Sequence, residues 1–554
     1  MLEAVEKHSF SNSLSIGTTL PIENSAVCAR LTGTLDSGLY KNPRACRGFL
    51  WKLQLAAISY FMRAAREELF RQVEAYSYAE SGKGGFPVWM ERIVLMNDMV
   101  RAFVWGAPML VLLVGTGVYF TAKTHLFQLR HIGLWLRKTL FSCFSGAARR
   151  KSGEQAVSPF ATMCTALAAT VGTGNIAGVA TALTIGGPGA IFWMWVSAFF
   201  GMMTAFAENT LGMLYREKGP DGAWRGGPML YLKKGLHSPF LAAAFALFCV
   251  LASFGIGNMS QCNSIASGLS GVFGVPPLVT GIATAVLLGA VMLGGLARIS
   301  RVTETLVPFM ALFYMGGALI VLWSGRENIP QACGQIFAAA FDWQAGAGGI
   351  AGYGMARAIR TGVSRGVFSN EAGLGSSVMV HTAADAKEPC EQGMWAVFEV
   401  FFDTIVMCTI TALVILTSGV YNQTLYSLAV GTPLMEKLAT GAQLTAAAFS
   451  TVFGPLGGGF VAVSLVLFAF STLLGWSYYG QRAAEYLFGA RAMPVYKALF
   501  VAAAIAGCTM RLDLAWALSD TFNGLMALPN LVGVLALRRE TLHEWRRYRR
   551  TNHI

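Results

Sequence analysis

The sequence predicts an all-α integral membrane protein with about eleven transmembrane helices. Hydrophobic residues make up 54% of the 554-residue chain and charged residues only 13%, and the mean hydropathy is +0.51. A soluble domain with so few charges could not cover its own surface with them. Apolar stretches of about 18 or more residues, long enough to cross a bilayer as helices, recur along the chain. This recurrence excludes a large soluble enzyme. It indicates that the protein lies in a lipid bilayer, which is therefore one of its partners.

Runs of about 20 mainly apolar residues predict the individual spans. They lie at residues 97–120, 158–181, 188–214, 239–260, 277–296, 303–323, 346–364, 393–418, 456–479, 494–510 and 514–537. The seventh differs from the others because it is rich in glycine and contains Arg357 and Arg360.

Lys and Arg residues are concentrated in every second loop. The loops after spans 1, 3, 5, 7 and 9 and the C-terminal segment hold most of them, whereas the opposite loops contain only Arg326, Lys437 and Arg511. Basic loops remain on the cytoplasmic side. The sequence therefore predicts an outside N-terminus and a cytoplasmic C-terminus. The net charge of +13 follows from this topology and does not indicate a nucleic-acid partner.

Residues 1–95 do not fit this topology, because they are rich in Lys and Arg but would face outward. They contain no apolar core and cleavage site of a signal peptide. Met96 and Met99 lie directly before the apolar stretch VRAFVWGAPMLVLLVGTGVYF, so a start site assigned too early, or a disordered extension, explains the segment better than a functional domain. The predicted organisation is an extension at 1–95, a membrane domain at 96–540 and a basic cytoplasmic tail at 541–554.

Several classes of activity lack the residues that they need. The ten Cys and seven His residues are scattered without CxxC or HxxxH spacing, which predicts neither a zinc site nor a disulfide framework. The absence of a GxxxxGK[ST] motif argues against ATP-driven transport. A membrane-embedded enzyme would need a nucleophile–base or metal set. We therefore predict a protein that is not an enzyme and has no cofactor.

The second span has a polar, flexible midpoint. The stretch VGTGNIAGVA at 171–180 places Gly172, Thr173, Gly174 and Asn175 inside the apolar run. Opening a helix in hydrocarbon costs several kcal/mol for each unpaired backbone group, so such a break is kept where it lines a cavity. One half-helix then offers its positive end to an anion, and the other offers carbonyl groups to a cation. Close packing of small residues between helices is the alternative for GTGN alone.

Blocks around this break resemble those of a known family. GGPGAIFWMWVSAFFG at 186–201 resembles the signature of the sodium:alanine symporter family, also called alanine or glycine:cation symporters. Further blocks, in that family's order, are GTGNIAGVATA, TAFAENTLGMLYREK, GGPMLYL, SRGVFSNEAGLGS and FSTLLGWSYYGQ. The resemblance covers about residues 97–540. It implies uptake of alanine or glycine across a bacterial inner membrane by alternating access, with Na⁺ as the coupling ion. An H⁺-coupled symporter of small amino acids is the alternative.

The resemblance also implies a fold similar to that of the bacterial leucine transporter. One extra helix would precede two inverted five-helix repeats, at about 158–323 and 346–537, which makes eleven spans. The first helix of each repeat would be discontinuous. GAGGIAGYGMARAI in span 7 is the second glycine-interrupted segment, at the corresponding position.

The resemblance places the substrate against the break in span 2. The implied contacts are Thr173, Gly174 and Asn175 for the carboxylate, Gln261 on span 4, and Thr472 and Trp476 on span 9. The bulky indole would select alanine and glycine over leucine or phenylalanine. Residues 350–354 of span 7 are further candidates.

The sodium ion would lie between the span-2 break and span 9. Carbonyl groups near Ala169 and Gly172 and the hydroxyl groups of Ser471 and Thr472 are the implied ligands, all of them oxygen. The sequence does not assign Thr472 to the ion or to the substrate alone.

Acidic residues in the middle of spans are functional or paired. Glu208 in span 3, and Glu399 and Asp403 in span 8, are of this kind. Glu208 or Asp403 would carry the proton in an H⁺-coupled mechanism. Pairing with a basic residue or with a freed backbone amide is the structural alternative.

The SRGVFSNEAGLGS block at 364–376 is expected after span 7 on the cytoplasmic side. Arg365 and Glu371 could there close an inner gate as an ion pair. A capped turn at Ser369 or Asn370 before a short helix explains the same residues, and the sequence leaves both open.

Overall fold

The computed structural model describes residues 88–553, apart from gaps at 145, 150–156, 220–221, 342–349, 431 and 511–512. Most of the predicted N-terminal extension, residues 1–87, lies outside the described residues. Residues 88–95 belong to the first described helix, so the predicted boundary at residue 95 falls within a helix.

The described chain is built almost entirely of helices. In its first part they are α1 (Val88–Val104), α2 (Ala107–Lys123), α3 (Phe127–Arg130), α4 (Ile132–Lys138), α5 (Leu140–Phe144), α6 (Pro159–Thr170), α7 (Val179–Gly186), α8 (Gly189–Tyr215), α9 (Pro228–Lys234), α10 (Pro239–Phe254), α11 (Ser260–Phe273), α12 (Pro277–Met292), α13 (Gly295–Ser324) and α14 (Ile329–Ala340). In its second part they are α15 (Ile350–Asn370), α16 (Val378–His381), α17 (Pro389–Val400), α18 (Thr409–Thr417), α19 (Gln423–Ala429), α20 (Gly441–Phe453), α21 (Leu456–Phe488), α22 (Met493–Thr509), α23 (Asp513–Ala536) and α24 (Arg538–Thr551).

Shorter elements connect these helices. Turns of π-helix lie at Gly174–Gly178, Gly255–Met259 and Phe401–Cys408, and 3₁₀ turns at Ala147–Arg149, Arg326–Asn328, Pro433–Lys437 and Ala490–Ala492. Two short antiparallel strands, β1 (Glu217–Lys218) and β2 (Trp224–Arg225), pair Glu217 with Arg225. The π-helical turns of the described residues lie in the predicted spans 2, 4 and 8, and such turns are a frequent mark of functional sites.

Seven helical segments of the described chain are long and apolar enough to span a membrane, and nine do so if two bent helix pairs each count as one span. The remaining two predicted spans correspond to α12 and α15. The first has only 16 residues, and the second carries Arg357, Arg360 and Arg365. The structure thus supports a multi-pass helical membrane protein, whereas the count of eleven and the inverted repeats stay predictions.

The predicted break in span 2 is present. Helix α6 begins after Ser158, whose hydroxyl accepts a hydrogen bond from Ala161 N–H at 3.1 Å, and it ends at Thr170. The chain resumes at Gly174, and the two halves of the span are bent by 50°.

The predicted break in span 7 lies partly at residues 346–349, outside the described residues. Helix α15 is continuous from Ile350 to Asn370, because single glycines cost a helix only about 1 kcal/mol each. The helix stops instead at residues 371–377, where Glu371 and two glycines adopt positive φ angles. The EAGLGSS segment is therefore the interruption, and Arg357, Arg360 and Arg365 lie within a helix rather than in a cytoplasmic loop.

The predicted tail at 541–554 is also not a separate element. It forms most of helix α24, in which Leu542, Trp545 and Tyr548 are buried. These residues recur every three positions and so share one face. The sequence prediction missed this face because the segment is strongly basic overall.

Candidate functional site

The break in span 2 lies directly against the long helix α21. At Gly172, an added Cβ would lie only 2.4 Å from Thr472 Oγ1. At Gly475, a Cβ would lie 2.9 Å from both the Cα and the N atom of Ala169. Glycine at these two positions allows the two backbones to approach closely. The structure thus brings together Ala169, Gly172 and Thr472, as the sequence predicted.

A small internal cavity lies beside this contact. It holds about 20 Å³ of space, which is room for about one water molecule. The cavity is lined by Ala169, Thr170, Gly172, Thr173, Gly174, Ile256, Gln261, Phe368, Glu371, Thr472, Trp476 and Asn523. The predicted substrate and sodium residues are in this set except Asn175, Ser471 and the further candidates at 350–354.

Gln261 connects two helices across the cavity. Thr173 Oγ1 donates to Gln261 Oε1 at 3.1 Å, and Gln261 Nε2 donates to the carbonyl of Ile256 at 3.0 Å. That carbonyl lies in the π-helical turn of span 4. The predicted role of Gln261 as a polar partner of the span-2 break is consistent with these contacts.

Trp476 is held in one orientation by the break after α15. Its indole Nε1 donates to Glu371 Oε1 at 2.9 Å, and the Ser376 hydroxyl donates to Glu371 Oε2. On the opposite side, a Cβ at Gly257 would lie 2.5 Å from Trp476 Cβ. The indole therefore fills the space between span 4 and the break after α15.

The predicted ion pair between Arg365 and Glu371 is wrong for this conformation. Glu371 is buried in the cavity wall, whereas Arg365 lines a separate, wider vestibule with its guanidinium 5.5 Å from the ring centroid of Phe368. Arg365 lies within α15, and Glu371 is the first residue of the break that follows this helix. Asn370 Oδ1 accepts a hydrogen bond from Ala372 N–H at 3.0 Å, which stabilises a turn at the end of α15 and not one before a short helix.

The vestibule has a volume of about 460 Å³ and adjoins the cavity. Thr173, Gly174 and Phe368 line both spaces. The Phe368 ring therefore lies between the vestibule and the cavity.

Asn175 points away from the cavity and joins the break to span 8. Its Oδ1 accepts a hydrogen bond from Gly172 N–H at 2.9 Å. Its Nδ2 donates to Asp403 Oδ1 at 2.7 Å and to Asp403 O at 3.1 Å. The side chain thus fixes the shape of the break, and any direct substrate contact would come from its backbone.

Ser471 lies one position from the cavity wall. Its hydroxyl donates to the carbonyl of Phe468 at 2.8 Å, and the Thr472 hydroxyl donates to the same carbonyl at 3.0 Å. A hydroxyl that donates to the helix keeps its lone pairs for a cation. The carbonyl of Ala169 is also suited to a cation, since the last carbonyls of a helix have no acceptor role within it.

Among the described residues, the other buried acids have hydrogen-bond partners other than Lys or Arg. Glu208 accepts hydrogen bonds from Gly373 N–H at 3.3 Å and from Asn530 Nδ2. Glu399 Oε2 lies 2.9 Å from His381 Nε2. The Gly373 amide is freed by the break after α15, so the alternative of pairing with a freed backbone amide holds for Glu208.

Sequence reasoning missed Ile256, Thr170, Phe368 and Asn523 in the cavity wall. A signal was present for the first of these. GIGN at 255–258 repeats the glycine–x–glycine–asparagine pattern of GTGN at 172–175, and a π-helical turn occurs at each.

Comparison with known proteins identifies the family of the chain. The sodium:alanine symporter family matches residues 90–553. The sodium/alanine symporter AgcS of Methanococcus maripaludis is 46% identical over 452 residues, which are 81% of this chain and 95% of that protein. The chain belongs to the sodium:alanine symporter family. It is therefore a membrane transporter and not an enzyme.

Two further similarities are more distant. A Bacillus subtilis protein named "Probable sodium/glutamine symporter GlnT" is 36% identical to this family member over 451 residues, covering 81% of this chain and 88% of that protein. The crystal structure of MhsT in complex with L-phenylalanine is similar with a TM-score of 0.49 and 16% identity, covering 70% of this chain and 90% of MhsT.

Proposed function

We propose that this transporter couples inward Na⁺ flow to the uptake of alanine or glycine. The observation that carries the proposal is the single cavity at which the span-2 break, Thr472 and Trp476 meet. A broken helix offers amide groups to a carboxylate and carbonyl groups to a cation within one element. One site can thus bind an amino acid and Na⁺ together.

The substrate carboxylate would bind the amides at Thr173 and Gly174. The amino group would face the polar wall formed by Gln261 and Thr472. Since the cavity has room for about one water molecule, it must expand to admit any amino acid, and alanine and glycine need the least expansion. The name of AgcS supports alanine as the substrate, whereas another relative is named a probable sodium/glutamine symporter.

Na⁺ would bind the carbonyl groups of Ala169 and Gly172 and the hydroxyl groups of Thr472 and Ser471. The free energy of Na⁺ entry is sufficient to accumulate the amino acid in the cell. One charge moving through about 100 mV yields about 2.3 kcal/mol, which supports a concentration ratio of about 50 at about 1.4 kcal/mol per tenfold.

The vestibule would be the approach from outside the cell. Thr181, Val272 and Gly458 line it, and they lie at the helix ends that adjoin loops poor in Lys and Arg. Movement of Phe368 would connect the vestibule to the cavity. Opening the opposite side would then complete alternating access.

H⁺ coupling is the second candidate. Glu208 and Asp403 are at most 1% exposed, and among the described residues neither forms an ion pair with Lys or Arg. Buried carboxyl groups of this kind serve as proton carriers in other transporters.

Counterflow of labelled alanine in proteoliposomes tests both candidates. Na⁺ and choline are compared at the same pH, with alanine, glycine or leucine as the internal substrate. We expect counterflow with alanine and glycine, only when Na⁺ is present. Equal counterflow in choline would contradict Na⁺ coupling, and exchange with leucine alone would contradict the substrate assignment.

The size of Trp476 provides a prediction about specificity. Trp476→Ala should admit valine, leucine or methionine and weaken alanine binding about tenfold or more, because the indole bounds the cavity. Trp476→Phe keeps most of the bulk but removes the hydrogen bond to Glu371, so it should not widen the range. Trp195→Ala is the control, since its indole donates to Thr409 Oγ1 away from the cavity. Unchanged alanine affinity with no new substrate in Trp476→Ala would place the residue outside the binding site.

A further inference from the structure

A second, basic cavity lies outside the transport site. It has a volume of about 310 Å³ and separates the end of α2 from one face of α24. Lys123 and His125 line it from one side, and Arg546, Arg549 and Trp545 from the other. No acidic residue is part of its described lining.

Packing contacts hold helix α24, which forms one wall of the cavity, in place. The Trp545 ring packs against Phe127 and Phe206, with centroid distances of 4.7 and 5.8 Å. At the start of α24, Tyr215 OH donates to Glu540 Oε2 at 2.6 Å. Helix α24 is thereby fixed against the end of α8.

The acidic residues of α24 do not neutralise the cavity. Glu540 bonds Tyr215, and Glu544 is paired with Arg547 at 2.6 Å. The electrostatic effect is visible at His131 between α3 and α4, where burial and the positive charges of Arg549 and Arg130 lower the pKa of the imidazole. The described lining of the cavity thus contains Lys123, Arg546 and Arg549 and no acidic residue.

The cavity adjoins the end of a helical segment that is long and apolar enough to span a membrane, and it has an apolar border. Lys123 is the last residue of the first spanning segment. The adjacent helices α3 to α5 expose large apolar side chains, among them Leu129, Ile132, Phe141 and Phe144, which is 82% exposed. Exposed apolar side chains beside a spanning helix are suited to lipid acyl chains.

We propose that the cavity lined by Lys123, Arg546 and Arg549 binds the phosphate headgroup of an anionic phospholipid, whose acyl chains lie along the exposed apolar side chains of α3 to α5. Arg and Lys side chains form strong, charge-assisted hydrogen bonds to phosphate oxygens. Basic pockets on the cytoplasmic side of helical membrane proteins bind such lipids. A lipid is favoured over free phosphate because phosphate would not cover the apolar border.

The test uses the full chain purified in an uncharged detergent. The Tm is measured with added cardiolipin, with phosphatidylethanolamine and with inorganic phosphate. A ligand that binds only the folded protein raises the Tm. We expect cardiolipin to raise it and the other two additives to have little effect. Stabilisation by inorganic phosphate alone that equals that of cardiolipin would replace the lipid by a free anion and overturn the proposal.

Two triple variants that lose the same charge distinguish lipid binding in the cavity from non-specific electrostatic attraction to the surface. Lys123→Gln, Arg546→Gln and Arg549→Gln together remove the three cavity charges. Arg538→Gln, Arg539→Gln and Arg550→Gln together remove three charges of α24 that do not line the cavity. Each basic residue near a lipid surface contributes about fivefold in affinity, so the cavity variant should bind cardiolipin about 100-fold more weakly. Equal weakening in both variants would show non-specific surface attraction.

The single variant Arg546→Gln covers the case in which the triple cavity variant does not fold, because Arg546 is exposed and its loss should not affect packing. Native mass spectrometry should then detect about fivefold less bound cardiolipin than in the native chain. Unchanged lipid occupancy in this folded variant would contradict the proposal.

Discussion

Gly172→Ala should nearly abolish Na⁺-dependent transport. The new Cβ would lie 2.4 Å from Thr472 Oγ1, closer than atoms can approach, so either the Thr472 side chain must rotate or the span-2 break and α21 must separate. Overpacking of this kind costs about 1–3 kcal/mol, which corresponds to a loss of about five- to 150-fold in affinity. The half-saturating Na⁺ concentration and the uptake rate in proteoliposomes measure the effect.

Two further variants make this prediction specific to the contact. Gly316→Ala is the control, since nothing lies within 4 Å of a Cβ at that position in α13, and it should transport normally. In the double variant Gly172→Ala with Thr472→Ala, the clashing oxygen is gone, so the Tm should recover while Na⁺ dependence stays impaired. Normal transport by Gly172→Ala alone would show that the break and α21 are not in contact.

The spans and the first break could be predicted from sequence because each has a local cause. A run of apolar residues long enough for a bilayer is visible without any tertiary information, and so are the glycines and polar residues at 172–175. The family resemblance then supplied Gln261, Thr472 and Trp476, which no local spacing connects. The cavity contains all three.

The break after α15 could not be placed from sequence because two segments compete for it. Residues 346–354 contain more glycine, yet the chain is helical from residue 350. The segment 371–377 resembles a surface turn. Its position in the site depends on the bond from Trp476 to Glu371, between residues 105 positions apart. Only the folded structure provides such a contact.

The apolar face of helix α24 also could not be predicted from the sequence. Its average composition is that of a solvated basic tail, and its apolar face becomes evident only where Trp545 packs between Phe127 and Phe206. The same packing places Arg546 and Arg549 in the wall of the basic cavity.

Na⁺ and alanine should each strengthen the binding of the other by the same factor, because both depend on the shape of the span-2 break. Binding linkage requires this reciprocity. Thr472→Ala removes the hydroxyl that contacts Gly172, and Ser471→Ala removes its neighbour. At least one of them should raise the half-saturating Na⁺ concentration several-fold, and saturating Na⁺ should largely restore alanine affinity. Ser477→Ala is the matched control, since its buried hydroxyl also donates within the helix, to the carbonyl of Leu474.

Asn175→Ala should behave in the opposite way. It removes the acceptor of Gly172 N–H and the donor to Asp403, so the break loses the shape that presents its amides to a carboxylate. Alanine affinity should fall about tenfold or more, since unpaired buried polar groups cost about 1–3 kcal/mol, and excess Na⁺ should not restore it. Titration of Na⁺ at several alanine concentrations compares all four variants. If both Thr472→Ala and Ser471→Ala keep the native Na⁺ dependence, the ion binds elsewhere, and the break is a substrate site alone.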